Sequence, residues 1–174
     1  MTIPNLLSLF RLLLVPVFPL VFFQSWPNAR QWAVLIYLVA FLTDIADGWI
    51  ARRFNQITPL GRVLDPLADK LMTFVVILCI TIEGIIPLWT VAVFFCKELA
   101  MAIGSLAMYH KLGDVISANW LGKAATGVFF VVCVLLVLFP AIPRPWATGL
   151  ISVALAMTIA AFLSYLFQYM KLLR

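Results

Sequence analysis

Apolar runs interrupted by short polar or Pro- and Gly-bearing stretches recur along the chain, at about 5–24, 32–52, 66–83, 87–109, 121–140 and 146–170. Each is close to the roughly 20 residues that a helix needs to cross a hydrocarbon core about 30 Å thick. The breaks carry turn chemistry: Ser25-Trp26-Pro27-Asn28, the stretch from Asn55 to Gly61 with Pro59, Glu83-Gly84, Gly113-Asp114, and Pro140 to Pro145. The pattern predicts an all-α, polytopic membrane bundle of about six helices forming one domain over 1–174. There is no solenoid repeat and no low-complexity tract.

Polar residues inside these runs are few, so their spacing is informative. In the first segment Ile3-Pro4-Asn5 places Pro where a helix start tolerates it. Asn5, Ser8 and Arg11 then follow at i, i+3 and i+6, a polar stripe on one side of an apolar helix. Two readings fit: the stripe faces the bundle interior, or Arg11 snorkels to the interface. With Arg11 in its middle, no basic n-region and no convincing cleavage site, the segment reads as a retained span rather than a signal peptide.

Composition agrees: 65% of the 174 residues are hydrophobic and 11% charged, far from the balance of a soluble domain. Lys and Arg between the spans set an expected orientation. Arg52, Arg53, Arg62, Lys70, Lys111, Lys123, Lys171 and Arg174 fall on one face, Arg30 and Arg144 on the other. Both termini and the second connection are therefore expected in the cytoplasm, in a cell (inner or plasma) membrane. Trp26, Trp32, Trp89, Tyr109, Trp120, Trp146 and Tyr169 lie near span ends, as interfacial anchors do. Cys79, Cys96 and Cys133 read as small buried hydrophobes, His110 as an interfacial polar residue, and Glu83 as a loop residue on the face away from the acidic connection.

Of seven acidic residues, four cluster between the second and third runs: Asp44, Asp47, Asp65 and Asp69. Asp44 and Asp47 are i, i+3 at the end of one helix; Asp65 and Asp69 are i, i+4 at the start of the next. Each pair shares a side of its helix, and a short connection makes the helices antiparallel neighbours, so all four can converge. Carboxylates gathered near lipid need cations, and hard divalent ions with oxygen ligands fit. Two Mg²⁺ or Mn²⁺ ions would suit an in-line displacement at phosphorus, with Asp69 as a candidate general base toward a hydroxyl. Around the acids, Gly48 opens the backbone, Ala51 is small on the face of Asp47, Arg52 offers a fork for phosphate, and Gly61 supplies a permissive turn. A divalent-cation transporter could use the same acids. It would need a polar path, and Trp32 to Leu42 and Leu71 to Ile82 show almost none.

The pattern Asp44-x2-Asp47-Gly48-x2-Ala51-Arg52-x8-Gly61-x3-Asp65-x3-Asp69 resembles the complete signature of the CDP-alcohol phosphotransferase family. The resemblance implies attack of an alcohol hydroxyl on a CDP-linked substrate with release of CMP. It implies two divalent metals on Asp44, Asp47, Asp65 and Asp69, with Asp69 also the catalytic base. Asp47, Gly48, Ala51, Arg52, Gly61 and Asp65 would then form the CDP site. A homodimer is implied too, and the expected partners are CDP-diacylglycerol, an acceptor and membrane lipids, with no nucleic acid.

Ile3 to Arg11, Leu64-Asp65-Pro66-Leu67-Ala68-Asp69-Lys70 and Gly122-Lys123 are similar to bacterial phosphatidylglycerophosphate synthases, which join glycerol 3-phosphate to CDP-diacylglycerol. Asn5, Ser8, Arg11 and Lys123 are then candidates to hold the acceptor or a phosphate. One departure stands out. Where these synthases commonly carry an Arg-acidic pair and a later Arg in the fourth span, this chain has Lys97-Glu98 and Gly104-Ser105-Leu106. The rival within the family is cardiolipin synthase, whose acceptor is phosphatidylglycerol.

Overall fold

The computed structural model describes residues 2–54, 58, 61–112 and 120–172, and of their side chains all but those at 52, 62, 63, 105–112 and 169–172. Among these residues the chain forms six helices and no strand: α1 (Ile3–Phe22), α2 (Ala29–Arg53), α3 (Gly61–Ile82), α4 (Trp89–Leu112), α5 (Trp120–Leu138) and α6 (Arg144–Leu172). The all-α expectation holds. Among the described residues α1, Ala29–Ala51 of α2, α5 and Arg144–Gln168 of α6 are long and apolar enough to cross a membrane. The first ten residues of α3 carry Arg62, Asp65, Asp69 and Lys70.

That helix also begins earlier than the apolar pattern indicates, at Gly61 rather than about 66, with Pro66 inside it. Pro66 deprives only the Arg62 carbonyl of its usual donor, a small loss so near a helix start. Thr58 supports the early start, its Oγ1 accepting the Gly61 N–H at 3.0 Å, the bond a capping hydroxyl makes.

The chain divides into two units, Met1–Ile82 with Val137–Phe139, and Glu83–Leu136 with Pro140–Arg174. In the first, α1 packs along both α2 and α3, which touch each other far less. The reason is a matched set of stripes. On α1 the buried residues are Pro4, Asn5, Ser8, Arg11, Phe18 and Phe22, all on one side. On α2, Ala29, Ala33, Tyr37 and Ala40 are buried at helical spacing, and Asp44 and Asp47 continue that line by steps of four and three. On α3, Asp65, Ala68, Met72, Val76 and Cys79 repeat the pattern. The small side chains of α2 let α1 approach closely, the device that substitutes for a hydrophobic driving force in lipid. Apolar halves meet apolar halves: Phe18 stacks on Phe22 and meets Tyr37 edge-on with ring centroids 6.3 Å apart. The polar halves are thereby brought to one end.

The opposite side of α1 exposes Ile3, Leu6, Phe10, Leu13, Val17 and Leu20. An apolar face of that length belongs against lipid. Trp26, Trp32, Trp89, Trp120 and Trp146 are likewise exposed near helix ends, as expected of interfacial anchors; the side chains of Tyr109 and Tyr169 lie outside the described residues. Glu83 is an exposed turn residue just beyond the far end of α3 from its aspartates.

In the second unit α4 packs on α6, and Phe94 of α4 stacks on Phe129 of α5 with centroids 5.4 Å apart. Lys97 and Glu98 form an ion pair with each other, largely buried, so their charges neutralise each other locally. Cys79 and Cys133 are buried as expected, but Cys96 is exposed. It sits two residues, about 200°, around the helix from buried Phe94.

Candidate functional site

The site is where the polar halves of α1, α2 and α3 meet. Arg11 is its centre. The side chain is 1% exposed, with Nη1 donating to Asp44 Oδ1 at 2.6 Å and Nη2 donating to Asp47 Oδ2. Of the two readings of Arg11, the interior one holds, because the packing of α1 turns residues 5, 8 and 11 toward its neighbours and leaves Leu6, Leu9 and Phe10 outside. Breaking a buried pair of this kind by removing one partner costs about 3–5 kcal/mol. Its Nε is buried with no hydrogen-bond partner among the described residues, a standing cost of about 1–3 kcal/mol.

Ser8 performs the parallel task toward α3. Its hydroxyl lies 3.0 Å from the Pro4 carbonyl and in closer contact with Asp65 Oδ1; the charged acceptor is the stronger claimant on its one hydrogen. Below it, Thr58 Oγ1 donates to Asn5 Oδ1 at 2.9 Å while accepting the Gly61 N–H. A Cβ added at Gly61 would sit 2.8 Å from Asn5 Oδ1 and 3.1 Å from Thr58 Oγ1. Gly61 is therefore needed for this close approach of α1 to α3, not for a permissive turn; it opens a regular helix, and positive φ among the described glycines occurs at Gly84. The role of Thr58 went unread in the sequence, although Thr-Pro at a helix start is its signal.

The four aspartates are brought within each other's field: Asp44 feels Asp69, and Asp47 feels both Asp44 and Asp65. They differ in access. Asp47 is 3% exposed, Asp44 37% and Asp69 28%, with Lys70 Nζ 3.5 Å from Asp69. Gly48 and Ala51 follow Asp47 on α2. The Arg52 and His110 side chains lie outside the described residues, and Lys123 is exposed on α5 in the second unit.

As a home for divalent ions the donor set fits in chemistry: four carboxylates from two helices, all oxygen, with more negative charge than Arg11 and Lys70 balance. As the side chains stand, no three acidic, His or Cys groups among the described residues are disposed to hold one ion. Arg11 engages one oxygen each of Asp44 and Asp47, and Ser8 one of Asp65.

Helices with lipid-facing apolar sides and a charged cluster buried where α1 meets α2 define a membrane-embedded helical protein. The sequence model of the CDP-alcohol phosphatidyltransferase family matches residues 1–166, and the chain belongs to that family. Among its relatives is a cardiolipin synthase (CMP-forming) of Streptomyces coelicolor, 38% identical over 130 residues, 72% of this chain and 60% of that protein. The chain thus spans less than two thirds of that relative. A putative cardiolipin synthase of Mycobacterium tuberculosis is 33% identical over 97% of this chain and 79% of its own length. A CDP-diacylglycerol--glycerol-3-phosphate 3-phosphatidyltransferase of Salmonella paratyphi A is 32% identical over 94% of this chain and 92% of its own.

Proposed function

We propose that this protein works in phospholipid biosynthesis, transferring a phosphatidyl group from CDP-diacylglycerol to glycerol 3-phosphate and releasing CMP. The observation that carries the acceptor is the match to the Salmonella phosphatidyltransferase across nearly the whole of both chains. The acceptor hydroxyl attacks the phosphorus of the phosphatidyl group, the bond to CMP breaks, and CMP leaves with the electron pair. Asp69, partly open at the start of α3, takes the hydroxyl proton. Asp47, Gly48, Ala51, Arg52, Gly61 and Asp65 line the CDP moiety, and Asn5, Ser8, Arg11 and Lys123 serve the acceptor or a phosphate. Two divalent ions, Mg²⁺ or Mn²⁺, held by Asp44, Asp47, Asp65 and Asp69, would supply neutralisation of the diphosphate when bound. The site opens to the cytoplasm of a cell (inner or plasma) membrane, in keeping with the Lys and Arg asymmetry, and the chain works as a homodimer.

A second reading has its own support. Lys97 and Glu98 pair with each other at the place where phosphatidylglycerophosphate synthases commonly carry an Arg-acidic pair with a later Arg. Two of the relatives above carry cardiolipin synthase names. The test is CMP release by purified protein with CDP-diacylglycerol and Mg²⁺ or Mn²⁺, running glycerol 3-phosphate against phosphatidylglycerol. Turnover with glycerol 3-phosphate is expected. Turnover with phosphatidylglycerol alone transfers the assignment to a cardiolipin synthase.

A further inference from the structure

Arg11 carries two assignments that cannot both hold at once. Both of its terminal nitrogens lie on Asp44 and Asp47, the carboxylates assigned to metal, while its charge is also wanted at a substrate phosphate. We propose that Arg11 is the built-in counter-ion of the acid cluster, holding the cation position until divalent ions arrive, and that metal binding displaces it. The inference rests on the metal reading above and deepens it.

Four observations carry it. The guanidinium is delivered by packing, not by chance at a surface: its side chain is 1% exposed and lies on the stripe that seats α1 against α2 and α3. Among the described residues no three acidic, His or Cys groups stand together as they would around one ion. Moreover, an ion within about 2.0–2.6 Å of these same carboxylates would face a guanidinium Nη only 2.6 Å from Asp44 Oδ1. Like charges at such range in a poorly solvated site repel strongly. The hold of Arg11 is also incomplete, since Nε has no acceptor among the described residues. A released guanidinium gains one from an anionic oxygen. The order that follows is cation first, then Arg11 turned to the phosphate-bearing substrate.

The test is Mn²⁺ binding to the full chain in detergent without substrate, by titration calorimetry, for wild type, Arg11→Gln and Arg11→Lys. Removing the competing charge should tighten Mn²⁺ binding about tenfold or more in Arg11→Gln. Arg11→Lys, which keeps the charge but cannot bridge both carboxylates, should fall between. Thermal unfolding supplies the second readout: Arg11→Gln should have a lower Tm than wild type in EDTA and gain more than wild type from saturating Mn²⁺. Binding in Arg11→Gln equal to or weaker than wild type overturns the proposal and makes Arg11 a residue that orients the ligands. Should that variant not fold, the same result in Arg11→Lys overturns it. A folded wild type that takes up no Mn²⁺ refutes the metal reading itself, a distinct outcome.

Discussion

Replacing Gly61 by Ala adds one methyl group at the point where α1 and α3 come closest around the site. That Cβ would lie 2.8 Å from Asn5 Oδ1, and ordinary contact begins near 3.4 Å, so Asn5 must retreat by about 0.6 Å. Retreat pulls it from Thr58, whose hydroxyl donates to it at 2.9 Å and caps α3. Overpacking of this kind costs about 1–3 kcal/mol, and the helix preference of Ala over Gly returns up to ~1 kcal/mol. With the full return, a net loss of about 0–2 kcal/mol lowers Tm by up to roughly 8 °C in a chain of this size. The controls are in the same molecule: a Cβ at Gly127 or Gly149 meets nothing within 4 Å, so Gly127→Ala and Gly149→Ala should unfold at or slightly above the wild-type temperature. Differential scanning fluorimetry of the three variants in one detergent decides it. Should Gly61→Ala be as stable as those controls, the tight α1–α3 junction described above is wrong.

Two further expectations concern the chemistry. Asp69→Asn should spare CDP-diacylglycerol binding while lowering kcat about 10²- to 10⁴-fold, the usual contribution of a general base; equal loss of binding and turnover would remove that role from Asp69. Lys123→Ala should raise the apparent KM for the acceptor selectively, and a change confined to the donor KM would move Lys123 to the nucleotide side.

Hydropathy alone laid out six helices within a few residues of their observed ends, because each apolar run is as long as the membrane is thick. It erred most at α3, which begins at Gly61 rather than at about 66 and holds Pro66 inside it; a cap at Thr58 and a turn of polar helix ahead of the apolar run carry no hydropathy signal. Helical spacing also decided which residues share a face: Asn5 with Ser8 and Arg11, Asp44 with Asp47, Asp65 with Asp69. The family followed from eight positions between Asp44 and Asp69, since side-chain type at fixed spacing is legible without coordinates.

Periodicity does not say which face meets which. Arg11 on Asp47, Ser8 on Asp65 and Asn5 on Thr58 join residues 36, 57 and 53 positions apart, and these pairings exist only once α1 is seated along α2 and α3. The spacing of Arg11 suited an interior residue and a snorkelling one equally well; the small residues of α2 and the bulk of Phe18 and Phe22 decided between them. Likewise Gly61 looked like a turn glycine until Asn5 was found against it. What the chain carries by itself is its membrane spans and the inventory of its site. Which charges neutralise which is set by packing, because burial and a contact of a few ångströms, rather than residue type, determine where a guanidinium comes to rest.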